Sequence, residues 1–151
     1  MISDHNLNVT LVDSSEQMLQ ASKDKLGTDK RFSFSLSDAE AFPFFDNSFD
    51  KIICLHMIYH TKHIDKALDE IGRVLKPKGT LYISTVGEND MKGFSELLID
   101  FDYRIEFGKS RVAARFNRSK GEELLSERFQ HCESCYYVNK LLIIDKILLL
   151  E

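Results

Sequence analysis

A strand that is apolar on both faces must be paired on its edges and covered by helices, and this sequence carries two such runs. Residues 8–13, NVTLVD, place Val9, Leu11 and Val12 on both sides of an extended chain, as an interior parallel strand requires. Residues 50–57, DKIICLHM, contain the unbroken run Ile52–Ile53–Cys54–Leu55, which fits a central strand buried on both faces. A helical pattern follows each run. Ser14 with Gln17 three residues later makes a capping-box pattern, Met18, Leu19 and Leu26 form an apolar stripe, and Gly27 is placed to end the helix. Residues 63–75 set Ile64, Ala67, Leu68, Ile71 and Leu75 at helical spacing, with Gly72 costing that helix about 1 kcal/mol relative to Ala. KPKG at 76–79 stops it, and TLYISTV reads as the next strand.

Between these units, RFSFSLS at 31–37 alternates strictly. Phe32, Phe34 and Leu36 lie on one side and serines on the other, which predicts a half-buried strand near a sheet edge. AFPFFDNSFD is a loop punctuated by Pro43 and Asp46–Asn47–Ser48, standing in for a crossover helix or enclosing a short one. The order strand, helix, strand, strand, helix, strand points to a parallel α/β sheet. Beyond residue 87 the patterns predict helices at 90–100 and 119–129, the latter opened by Ser119 and Glu122, a strand at 133–144 and a helical stub at 145–150. No repeat or low-complexity linker divides the chain, so residues 1–151 are read as one domain.

Bulk properties exclude several classes. With 43% hydrophobic and 29% charged residues, the 151-residue chain has the balance of a globular protein. A net charge of −4 and the lack of a basic cluster argue against a nucleic-acid partner. LLIIDKILLLE, the longest apolar stretch, is interrupted by Asp145 and Lys146 and is too short to span a bilayer. MISDHNLNV lacks the form of a signal peptide. Three cysteines, an odd number, speak against a disulfide framework and for a reduced, cytoplasmic setting. Cys132 and Cys135 form a single CESC pair with no second pair and no suitably spaced His, so no metal site is expected.

An acid at the end of the first strand, Asp13, is the main chemical clue. In nucleotide-binding α/β folds a carboxylate there holds ribose hydroxyls, about 20 residues after a glycine-rich loop. Only twelve residues precede Asp13, and none is glycine. With VTLVDSSEQML, SLSDAEAFPFFDNSFDKIICLHMIYH and EIGRVLKPKGTLYISTVGEND in this order, the chain resembles the class I S-adenosylmethionine-dependent methyltransferases of the type 11 group. A further stretch, FNRSKGEELLSERF followed by CESCYYVNKLLI, extends the resemblance to about residues 8–144.

The resemblance implies a Rossmann-like methyltransferase fold with strand order 3-2-1-4-5-7-6. Here the first strand and its Gly-x-Gly-x-Gly loop are absent, and so is the last, so the expected sheet is incomplete, 3-2-[1]-4-5-[7]-6. The strands beside the gap would then expose unpaired backbone, which invites self-association. A truncated or mis-started chain is the expectation, or one whose gap another chain fills.

The resemblance also implies a site. Asp13 would hold both ribose hydroxyls, with Ser14 beside it and Met18 against the adenine face; a helix cap and core packing are the plain alternatives for Asp13 and Met18. Asp38, Ala39 and Glu40 would form the adenine loop, Asp38 otherwise making a local turn. Leu55 would lie near the methionine part of the cofactor. Met57 and Tyr59 would face the acceptor. His56 or His60 would serve as a base if the acceptor must lose a proton, although a lone histidine after a strand is more often structural. The expected reaction is methyl transfer from S-adenosylmethionine to a small molecule. The alternatives are a non-catalytic remnant or partner subunit and, from the acid alone, a nicotinamide-dependent oxidoreductase.

Overall fold

The computed structural model describes residues 7–87 and 114–135. The expected helices at 90–100 and 145–150, and most of the strand at 133–144, lie outside the described residues. Residues 133–135 themselves are not in a strand.

The first unit is strand β1 (Val9–Asp13), helix α1 (Glu16–Leu26) and strand β2 (Phe32–Leu36). β1 and β2 run parallel from Val9 opposite Phe32 to Asp13 opposite Leu36. The ladder extends one bond further, with the Ser37 N–H donating to the Asp13 carbonyl at 3.0 Å. The cap of α1 falls one residue later than the sequence pattern places it. Ser15, not Ser14, is the cap: its backbone is extended and its hydroxyl accepts from the Met18 N–H. The reason is local: the Asp13 carboxylate already takes the Ser15 N–H at 2.8 Å, which prolongs the strand-to-helix turn by one residue. Gly27 ends α1 at φ 62°, where a side chain would be strained.

The second unit is strand β3 (Phe49–Leu55), a 3-10 turn (Ile58–His60), helix α2 (Ile64–Val74) and strand β4 (Leu75–Ser84). β3 and β4 are also parallel, paired from Lys51 opposite Thr80 to Leu55 opposite Ser84. KPKG does more than stop α2. Between the pairs Phe49–Leu75 and Lys51–Thr80, two steps along β3 match five along β4, so Lys76–Gly79 bulges out of a strand that begins directly at the helix end. Gly79 is required there, since a Cβ would come within 2.7 Å of the Leu75 side chain and 3.0 Å of the Asp50 carbonyl.

The linking segment 41–48 is a loop with turns and no helix. α2 staples it in place. Arg73 donates to the carbonyls of Phe42 (3.1 Å) and Phe44 (2.8 Å) and to Asp46 (2.7 Å), while Glu70 accepts from the Phe42 N–H at 3.0 Å. The Arg73 guanidinium holds the Glu70 carboxyl below its ordinary range.

The core gathers on the second unit: Cys54, Ile58, Tyr59, Ala67, Leu68 and Ile71, joined by Ala39 and Phe116. Phe116 precedes helix α3 (Arg118–Ser126), which is capped by Asn117 accepting from the Lys120 N–H, not by Ser119. The architecture is Rossmann-like α/β with two partial parallel sheets, ordered β2-β1 and β3-β4. Among the described residues neither β1 nor β3 is paired on its other edge. β3 is not buried on both faces as its unbroken apolar run suggests: Cys54 on one face is buried, while Ile53 and Leu55 on the other are 70% and 61% exposed, because no described helix covers that face.

Candidate functional site

Parallel strands present their carboxyl ends together, and in open α/β sheets ligands bind there. Asp13 closes β1 and Asp38 follows β2 by two residues, so the ladder brings the two carboxylates to the same end of one strand pair. Each is tied once. One oxygen of Asp13 accepts from Ser15 N–H and one oxygen of Asp38 accepts from Glu40 N–H at 2.9 Å. Both local-turn alternatives are therefore realised. They leave each carboxylate's second oxygen without a hydrogen bond among the described residues, so a turn role and a ligand role are compatible. Ser14 is exposed beside Asp13. Met18 is 58% exposed, while its neighbour Leu19 takes the buried position on α1.

Ala39 and Glu40 face inward. Ala39 is 7% exposed and packs in the core. The Glu40 carboxylate accepts from the His63 N–H at 2.6 Å and from its Nδ1 at 2.7 Å, so both oxygens hold the residue that precedes α2. These bonds, the backbone one first, hold the Glu40 carboxyl below its ordinary range. A contact from Glu40 to a ligand thus falls to its backbone. The clamp from Glu40 to His63 was not legible in the sequence, because 23 residues separate the partners.

At the end of β3, Leu55 is exposed and pairs with Ser84. His56 has φ 51°, a left-handed conformation uncommon outside glycine, and its N–H donates to the carbonyl and hydroxyl of Ser84, each at 3.2 Å. That conformation turns the chain from the strand into the 3-10 turn. Met57 packs half-buried on the core. His60 is exposed, with its ring 4.6 Å from that of Tyr59. Tyr59 itself is 7% exposed, which leaves little of its ring to face an acceptor. The reason is the turn: Ile58 and Tyr59 both point into the core that α2 provides.

Burial raises the Cys54 thiol to about 12, so it is a core group rather than a nucleophile. Cys132 and Cys135 are exposed free thiols, and no cluster able to hold a metal occurs among the described residues. No helix among them is long and apolar enough to cross a membrane.

The donor set can be tested against S-adenosylmethionine. Its nucleoside offers ribose hydroxyls and an exocyclic amine, all donors, and the strand ends offer two carboxylates with spare oxygens; the residues fit that part. Close approach of glycine backbone to the methionine part has no counterpart among residues 7–26, which contain no glycine.

Known proteins show which family the chain resembles. A family model described as a methyltransferase domain matches residues 1–83. The ubiquinone/menaquinone biosynthesis C-methyltransferase UbiE of Rickettsia peacockii is 40% identical over 96 residues, covering 60% of this chain and 39% of that relative. The chain therefore spans well under half the length of the curated relatives it matches. Among solved structures, a SAM-dependent methyltransferase from Aquifex aeolicus superposes with TM-score 0.58 at 19% identity, over 80% of this chain and 57% of the other. The CMeT domain of the citrinin polyketide synthase gives TM-score 0.60 at 17% identity, over 80% and 32%. At those identities the structures support the fold alone. With the family model matching more than half of the residues, the chain belongs to the methyltransferase-domain family, the class I enzymes that use S-adenosylmethionine.

Proposed function

We propose that this chain carries the nucleoside-binding half of a methyltransferase that alkylates a small molecule, as one domain in the cytoplasm. The observation that supports it most is the pairing of Asp13 and Asp38 at one end of the β1–β2 ladder, each with an unbonded oxygen. In this reading Asp13 accepts from the ribose hydroxyls, Asp38 accepts from the adenine amine, and the buried Ala39 sets the height of that loop. Ser14 and Met18 flank the nucleoside. S-adenosylmethionine, when bound, supplies a methyl group on a sulfonium centre that a nucleophile can displace in line. The residues from the last of β3, Leu55, to His60 orient the acceptor, since displacement depends on alignment above all. His60, exposed at the turn, is better placed than the strained His56 to take a proton from an acceptor that has one to lose. The names of the UbiE relatives, C-methyltransferases of ubiquinone and menaquinone biosynthesis, point to a carbon of a quinone precursor as that acceptor.

The test is equilibrium dialysis of the 151-residue chain with labelled S-adenosylmethionine, followed by assay of label transfer to a quinone-precursor phenol. Binding that Asp13→Ala weakens at least tenfold is the expected result. Binding of a nicotinamide dinucleotide in place of S-adenosylmethionine would overturn the reading. A second reading, a non-catalytic subunit whose sheet another polypeptide completes, draws on the open edges of β1 and β3. Its sign would be a stable complex in which those edges become protected from hydrogen exchange, without label transfer.

A further inference from the structure

The loop joining β3 to α2 is held by its own turn and by a side chain from outside it. Its 3-10 turn makes two internal bonds, from the His60 N–H to the Met57 carbonyl at 2.8 Å and from the Thr61 N–H to the Ile58 carbonyl at 3.1 Å. The Thr61 hydroxyl also donates to Ile58, at 2.7 Å. Three carbonyls of this stretch, those of Tyr59, Thr61 and Lys62, accept from one side chain outside it, and Tyr59 and Thr61 are only 7% and 8% exposed. Carbonyls in poorly solvated backbone destabilise the conformation that holds them unless a donor reaches them.

Arg115 answers all three. Its Nη1 donates to Tyr59 O at 2.9 Å, and its Nη2 to Thr61 O at 2.5 Å and Lys62 O at 3.0 Å. It makes no ion pair among the described residues, so its donors serve this loop. The next residue fixes where the guanidinium starts from. Phe116 is 1% exposed, and its carbonyl accepts from the Thr85 hydroxyl just beyond β4 at 2.5 Å. A side chain anchored at the carboxyl end of β4 thus reaches across to the carboxyl end of β3. A planar fork of several donors can serve three oxygens from one position, which an ammonium on a flexible stem cannot do as well.

We infer that Arg115 is a positioning residue for methyl transfer: by holding the carbonyls of residues 59–62 it sets the turn that carries Met57 and His60 on the acceptor side. The inference rests on the function proposed above. Arg115 acts through the loop and not on the nucleoside, whose carboxylates, Asp13 and Asp38, lie on the other strand pair. Removing it therefore changes turnover rather than cofactor affinity.

The experiment uses Arg115→Met and Arg115→Lys in the full chain, with two readouts. In hydrogen exchange, Arg115→Met speeds the amides of residues 57–63 at least tenfold and leaves β3, β4 and α2 within twofold of the parent. In methyl transfer, kcat falls at least tenfold while KM for S-adenosylmethionine stays within twofold. Ethylguanidinium at millimolar concentration recovers part of both, and Arg115→Lys lies between parent and Arg115→Met. Unchanged exchange in 57–63, or acceleration shared equally by β3, β4 and α2, overturns the inference; so does a KM for S-adenosylmethionine that rises as much as kcat falls. Should Arg115→Met not fold, Arg115→Lys is read by the same criteria. A parent chain that transfers no methyl group defeats the proposed function instead, and the exchange arm with its chemical rescue still decides whether Arg115 sets the loop.

Discussion

The two strand pairs of this protein have the same parallel pairing and nearly opposite interiors. β3 and β4 are covered by α2 and by Phe116, which bury Cys54, Ala67, Leu68, Ile71 and Val74. Among the described residues β1 and β2 are covered by α1 alone, and Leu19 is the one buried apolar side chain of that unit, every residue of β1 being half-buried. The contrast follows from helix patterning. α2 places apolar groups on one continuous face, whereas α1 is dominated by Glu, Gln, Ser, Lys and Asp and has little to offer the sheet. The lesson concerns function: the carboxylates suited to a nucleoside sit on the weakly packed pair, and the residues suited to the acceptor sit on the well-packed one. Ligand-binding elements are commonly drawn from the less stable parts of a fold.

The difference in packing is greatest at Leu68, which is 0% exposed. Leu68→Ala should cost about 3 kcal/mol in denaturant unfolding, because the cavity it leaves cannot collapse between α2 and β4. An equal loss from Leu19→Ala would show that the two units are not as unlike as they look. Next in size is the ligand effect. Asp13→Ala should weaken S-adenosylmethionine binding ten- to hundredfold, in line with the loss of charge-assisted hydrogen bonds, with little change in the protection of β3 and β4.

Acid acts on the two units at different pH. The carboxyls of Glu40 and Glu70 are held below the ordinary value of 4.5 by His63 and Arg73 respectively. A depressed carboxyl stabilises the fold above its unfolded value and loses that contribution as pH falls through its folded value. The second unit and its link to the 39–48 loop should therefore loosen as pH drops below 4.5, followed by hydrogen exchange or circular dichroism. Asp29, held at about 2 by Arg31, keeps the α1–β2 turn intact to lower pH than that. The smallest effect is at His56. Replacing it by Gly should change stability by less than about 1 kcal/mol, in the stabilising direction if relief of φ 51° outweighs added chain entropy. A large loss would mean that the imidazole is held by more than its backbone.

Much of the fold could be read locally. The strand ends near residues 13, 36 and 55, the glycine stop at Gly27 and the helix at 64–74 all lie within a residue or two of where hydrophobic period and turn chemistry put them. Caps were harder. Ser14 and Ser119 match a pattern that Ser15 and Asn117 satisfy, since several polar residues in a row can each cap and only the path of the chain chooses between them. The site was legible as residue types at strand ends. What each side chain touches was not: Tyr59 turns into the core, while Glu40 bound to His63 and Arg115 on the Tyr59 carbonyl join positions 23 and 56 residues apart.

The amino-acid order by itself determined the alternation of strands and helices, the parallel class of the sheet and the placing of an acid at the tip of β1, because period, propensity and capping act over a few residues. The tertiary structure alone decided which polar groups remain available. A carboxylate or a guanidinium is free or engaged only once distant backbone has come within hydrogen-bond reach, and no local pattern encodes that distance.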